Sequence, residues 1–209
     1  MLKSSQASEL DVAHLWAALQ QLLLPIWPTD RTQVDGKAAG DAWPLSTLKK
    51  DSNSQDSTSF IQPFHKLTQW LTYSLMVPFV RLLDLHWKNS ELLTGLPEYR
   101  NGGLFVDMGV LTLKPEILAR GLKKSGGELP EFEPSEDVIV EWRSLTVALL
   151  DLVHVKVNEK LRAKGATLDL SLAQVLEAGT WKAGRVLAAE KRPETRSSPI
   201  LIVSDGTLF

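Results

Sequence analysis

The stretch LPEYRNGGLFVDMG, residues 96–109, is the least ordinary in the chain, and Glu98, Tyr99, Arg100, Asn101 and Asp107 crowd around the adjacent Gly102 and Gly103. Paired glycines let a backbone approach a ligand closely and present its N–H groups. The planar fork of Arg100 suits a phosphate or carboxylate. In an extended run Asp107 faces opposite to Val106 and Met108, and a carboxylate in partly apolar surroundings is a usual way to obtain a tuned base or nucleophile. The plainer reading is a hairpin in which an Arg–Glu ion pair holds a loop, and the residues alone leave both open.

A second cluster lies in PFHKLTQWLTY, residues 63–73. On a helix His65, Gln69 and Thr72 share one face, with Lys66, Trp70 and Tyr73 beside them. His65 can serve as acid, base or hydrogen-bond donor, and Lys66 can meet a phosphate or carboxylate. The bland alternative is a solvated polar face opposite a buried Phe64–Leu67–Leu71 stripe. A third set comprises Glu141, Trp142 and Arg143, together with Glu177, Trp181 and Arg185 spaced four apart on a later helix. Gly179 and Gly184 cost that helix about 1 kcal/mol each relative to alanine, which close approach of a backbone or ligand would offset; Glu–Arg pairs flanking tryptophan are common structural packing, and that is the plainer reading of the set. Asp205, in SDGT, either binds a polar ligand or merely turns the chain.

Several chemistries are excluded. The chain has no cysteine, hence no disulfide, thiolate metal site or cysteine nucleophile. Histidines 14, 65, 86 and 154 lack metal-ligand spacing, and no phosphate loop, GxGxxG or GxSxG elbow occurs. No metal and no cofactor is therefore expected. A net charge of -2 argues against a nucleic-acid partner. No apolar run approaches the length of a membrane span or the core of a secretion signal, so the expected location is cytoplasmic.

The elements that must position these groups read as mainly α. At 209 residues, 44% apolar and 23% charged, the chain suits one helical domain. A first helix is expected over Glu9 to Leu24, stopped by Pro25, with Val12, Leu15, Trp16, Leu19, Leu22 and Leu23 on one stripe. The serine-rich segment at about 46–59 reads as a linker or mobile loop. A second helix should begin between Ser59 and Pro63, with Ser59 and Gln62 as a capping box, and kink or break before Pro78. Residues 95–113 read as a small irregular or β insert, with Asn101–Gly102 as a turn. A short helix from Lys114–Pro115 to about Gly121 precedes a loop over 125–134 and a long helix capped by Ser135, whose Trp142, Leu145, Leu149 and Leu152 form a stripe. The last helix should run from Leu172 to Lys191 behind a Ser171–Gln174 capping box.

The strings PFHKLTQWLTYSL, LTGLPEYRNGGLFVDMGVL, EWRSLTVALLD, LEAGTWKAGR and SDGTLF, with IWP at 26–28 and GDAW at 40–43, resemble a fungal and bacterial uracil-catabolism family long catalogued as a domain of unknown function. The likeness runs from about Leu15 to Phe209 and is to the C-terminal part of longer proteins. It implies a role in a route that takes nitrogen from uracil through ribosylated intermediates. A cyclohydrolase-like enzyme opens the ring there, and a later step must separate a urea-like fragment from ribose phosphate. The expected reaction is cleavage of that N-glycosidic bond. Asp107 or Glu98 would supply the carboxylate, His65 or Lys66 would assist the leaving group, and Arg100, Arg143 or Arg185 would hold the phosphate of a phosphorylated riboside. A module that binds without turnover, or a half-domain that needs a protein partner, is the alternative expectation.

Overall fold

The computed structural model describes residues 9–28, 31–51 and 56–203. The chain is mainly helical, as expected. Its helices are α1 (Val12–Leu23), α2 (Ser46–Asp51), α3 (Lys66–Leu83), α4 (Tyr99–Asp107), α5 (Pro115–Ser125), α6 (Asp137–Ala163) and α7 (Leu172–Gln174). After α7 a π-helical stretch, Val175–Trp181, leads without a break into α8 (Lys182–Lys191). Among the described residues the strands form four separate two-stranded pairs. The chain divides into two compact units, one of Met1–Gly40 with His65–Thr94, the other of Asp41–Phe64 with Gly95–Phe209.

In the first unit α1 packs on α3. Asp11 caps α1 by accepting the Ala13 N–H at 2.9 Å, so the helix starts later than Glu9, which lies in a parallel pair with His86–Lys88. Leu22, placed on the core stripe by its spacing, is exposed. The expected Ser59–Gln62 capping box does not form: Ile61–Pro63 is a strand, and α3 begins only after His65, whose φ is 46°. Nor does α3 break at Pro78, which it carries inside. Its most buried side chains are Thr68, Gln69 and Thr72, whereas Leu67 and Leu71 are half-buried. The polar face is thus the inner one, the reverse of a solvated face.

The second unit is organised on α6. Its first turn is fixed by Asp137, which accepts from the Ser46 N–H at 2.9 Å and from the Ser46 hydroxyl; Glu136, not Ser135, holds the cap position. One apolar cluster joins Trp43, Leu45, Phe64 and Val140, another Phe132, Ile139, Trp142 and Ile200. Leu145 and Leu152 of the expected stripe are exposed. The loop expected over 46–59 opens as α2, residues 52–55 lie outside the described residues, and Thr58 bonds back to Asp56 at 2.8 Å. Helix α5 starts at Pro115 as read but runs on to Ser125, with Gly126 closing it at a φ of 64°.

The insert at 95–113 is the main correction: its centre is helix α4. Asn101–Gly102 makes no turn, because Gly102 lies against the Trp142 indole, where a Cβ would come within 2.8 Å of the ring. That indole donates to the Gly102 carbonyl at 3.2 Å.

Candidate functional site

In the second unit the polar residues of α4 hold three separate contacts. Glu98 caps the helix, its carboxylate accepting the Arg100 N–H at 2.8 Å and the Asn101 N–H at 2.5 Å. A carboxylate at the positive end of a helix satisfies amides that otherwise lack partners. Asn101 is buried; its amide donates to the Leu96 carbonyl at 3.0 Å and its oxygen accepts the Thr180 hydroxyl at 2.8 Å. Thr180 belongs to the π-helical stretch, and such widened turns occur often at functional sites. Asp107, at the end of α4, is gripped by Arg192, Nη1 to Oδ1 at 2.9 Å and Nη2 to Oδ2 at 2.5 Å. Arg192 also donates from Nε to the Ser197 carbonyl at 2.8 Å.

Arg143 and Asp41 are each only 1% exposed and form a bidentate pair at 2.7 and 2.8 Å. The Arg143 guanidinium lies 4.1 Å from the centre of the Phe64 ring and donates from Nε to the Pro97 carbonyl at 3.3 Å, while Asp41 also accepts the Trp43 indole N–H at 2.8 Å. The more accessible groups are Glu141, Glu177, Trp181 and Arg185. Arg185 stacks 4.8 Å from the Trp181 ring and Arg100 4.5 Å from the Tyr99 ring; Arg100 Nη1 donates to the Arg196 carbonyl at 2.7 Å.

His65, Lys66, Gln69 and Trp70 belong to the first unit. His65 Nδ1 lies 3.1 Å from the Gln20 amide nitrogen, whose oxygen accepts the Thr68 hydroxyl at 2.6 Å. The Trp16 ring meets His65 edge-on at 5.6 Å. Gln69 accepts the Thr94 N–H at 3.4 Å, and Trp70 is exposed. Left-handed backbone at a non-glycine residue such as His65 is a strained choice that concentrates at functional positions. Asp205 lies outside the described residues.

Sequence reasoning missed the partners: Asp41, Thr180 and Arg192. The spacing of Glu177, Trp181 and Arg185 did bring the last two together. Of the two glycines in that helix, Gly184 supports close approach, since a Cβ there would stand 2.3 Å from the Arg100 carbonyl oxygen, whereas around Gly179 there is room. Chemically, the second unit offers a fixed carboxylate at Asp107, stacked guanidinium groups at Arg100 and Arg185, and buried amide and hydroxyl groups around Asn101.

A family model described as "Protein of unknown function (DUF1688)" matches residues 1–209. The chain belongs to this family. It is 56% identical over 200 residues to "Protein urg3" of Schizosaccharomyces pombe, an alignment that covers 96% of this chain and 45% of that one. It is 48% identical over 214 residues to "Uracil catabolism protein 4" of Lachancea kluyveri, covering 99% and 48% respectively. The chain therefore spans about half the length of the curated relatives it matches.

Proposed function

We propose that this chain serves uracil catabolism by binding a phosphorylated, ribosylated and ring-opened pyrimidine and cleaving its N-glycosidic bond. The observation that carries the pathway is the 48% identity, over nearly all of the chain, to a protein named for uracil catabolism. The Asp107 geometry supports the reaction. Cleavage of such a bond develops positive charge on the anomeric carbon, and a nearby held carboxylate stabilises it. Water adds to that carbon, the C–N bond breaks, and the departing nitrogen takes up a proton, giving a ribose phosphate and a urea-like fragment. Both carboxylates have their two oxygens engaged, Glu98 by backbone amides of α4 and Asp107 by the Arg192 guanidinium; Asp107 is preferred because its partner is a side chain, whereas Glu98 serves as the cap of a helix. Arg185 and Arg100 are better placed than Arg143 to hold a phosphate, because Arg143 is buried against Asp41.

The test is release of ribose 5-phosphate from a ribosylurea phosphate. Asp107→Asn should lower turnover at least about a hundredfold, the usual scale for a group that acts only in the transition state. An unaltered rate removes Asp107 from the mechanism. The half-length match favours a second reading, a module that binds the same compound without turnover; it predicts ligand binding with no product released by the parent chain.

A further inference from the structure

Between α4 and α8 of the second unit lies an open groove of about 420 Å³. It is lined by Leu104 and Met108 from α4 and its C-terminal cap, by Gly179 of the π-helical stretch, and by Lys182, Val186 and Glu190 of α8. Met108 is 64% and Val186 51% exposed. Contiguous apolar surface of this kind, rimmed by charge, marks an interaction site. The proposed substrate does not suit it. A phosphorylated sugar needs several polar partners, and this groove offers a single lysine opposed by a glutamate.

Its shape suits an amphipathic helix. Lys182, Val186 and Glu190 recur every four residues, so a positive group, an apolar contact and a negative group follow one another along α8. Gly179 in its lining leaves room for a second backbone: a Cβ added there would meet only the Val175 side chain, at 3.9 Å. A second copy of the chain fits poorly, since two-fold pairing sets the same patch against itself and would lay one concavity on another. The relatives supply a fitting occupant, because more than half of their length lies outside the region this chain matches.

We infer that the α4–α8 groove docks a helix from the portion of the family's polypeptide that this chain does not span. Apolar residues of that helix would cover Met108 and Val186, an acidic group would face Lys182, and a basic group would face Glu190. This is helix-in-groove recognition, and it is independent of the proposed reaction.

The experiment is site-specific photo-crosslinking in a full-length chimera in which this chain replaces the matched part of the S. pombe relative. A photo-reactive phenylalanine analogue is placed at Met108, at Val186 or, as a control, at Leu168, which is 82% exposed. The same positions are read with this chain co-expressed beside the relative's remaining residues as a second polypeptide, so that a poorly folding chimera still leaves a result. The expected outcome is a crosslink from Met108 and Val186 to one peptide outside the matched region, with none from Leu168, weakened at least severalfold by Lys182→Glu. Crosslinks only between two copies, only within the matched region, or no more than at Leu168 would each overturn the inference.

Discussion

Arg143 and Asp41, 102 positions apart in sequence, close a bidentate ion pair at 2.7 and 2.8 Å in the interior of the second unit. Asp41 and Phe64 are the first and last residues of the inserted segment of that unit, and the Phe64 N–H donates to the Asp41 carbonyl at 2.9 Å. Arg143 touches both and also bonds Pro97, close to where the chain re-enters the unit at Gly95. One guanidinium thus secures all three points at which the chain enters or leaves the unit.

Breaking such a pair from one side strands a buried charge, which costs about 3–5 kcal/mol. Arg143→Met should lower the unfolding free energy by that amount in a urea titration. Asp41→Asn combined with Arg143→Met removes both charges and should be the more stable of the two variants. Equal stability would mean that the pair is not coupled.

Gly184 and Gly179 should respond oppositely to alanine. At Gly184 the new methyl collides with backbone, the Arg100 carbonyl oxygen at 2.3 Å, and overpacking of this kind costs about 1–3 kcal/mol. Gly179→Ala has room and should gain up to about 1 kcal/mol from helix propensity. Thermal melts of the two variants decide; a loss at both positions would contradict the packing described for Gly179.

Glu98 separates structural from chemical roles. Glu98→Ala should destabilise by about 1–2 kcal/mol, the scale of a lost helix cap. Glu98→Gln keeps an oxygen for one of the two amides and should retain turnover of the parent's order of magnitude. A turnover loss matching that of Asp107→Asn, with the melt unchanged, would return Glu98 to the reaction.

Asp151, on α6, has its carboxyl raised above the ordinary 3.8 by desolvation, partly opposed by His154. The folded chain therefore holds that proton more tightly than the unfolded chain does. Ionisation at neutral pH weakens folding, and the penalty fades as pH falls through the folded value toward 3.8. Asp151→Asn should raise the melting midpoint at neutral pH, with the advantage shrinking on acidification. A midpoint lowered at neutral pH would contradict this.

The parts of the fold that were legible in the sequence rest on local rules. Ser171 and Gln174 form the capping box that their spacing announces, and Pro115 occupies the first turn of α5. Asp35–Gly36, which was not among the turns expected from the sequence, closes a small hairpin through a dipeptide that favours such turns. What could not be read depends on distant partners. Asn101–Gly102–Gly103 has the composition of a turn, yet Glu98 caps it and Trp142 packs on it, so tertiary contact overrides propensity. The polar face of α3 turns inward because Gln20, which interrupts the apolar run of α1, bonds both Thr68 and His65. Candidate acids and bases were recognisable by type, but their partners Asp41 and Arg192 lie 102 and 85 positions away.

The most direct test of the central claim is a thermal melt of the purified chain with uracil, uridine monophosphate, ribose 5-phosphate and a ribosylurea phosphate. A ligand at 100 times its Kd adds about 2.7 kcal/mol of stability. The expected result is an upward shift with the phosphorylated ribosides and none with uracil. A cooperative melt that none of the four compounds moves would contradict it.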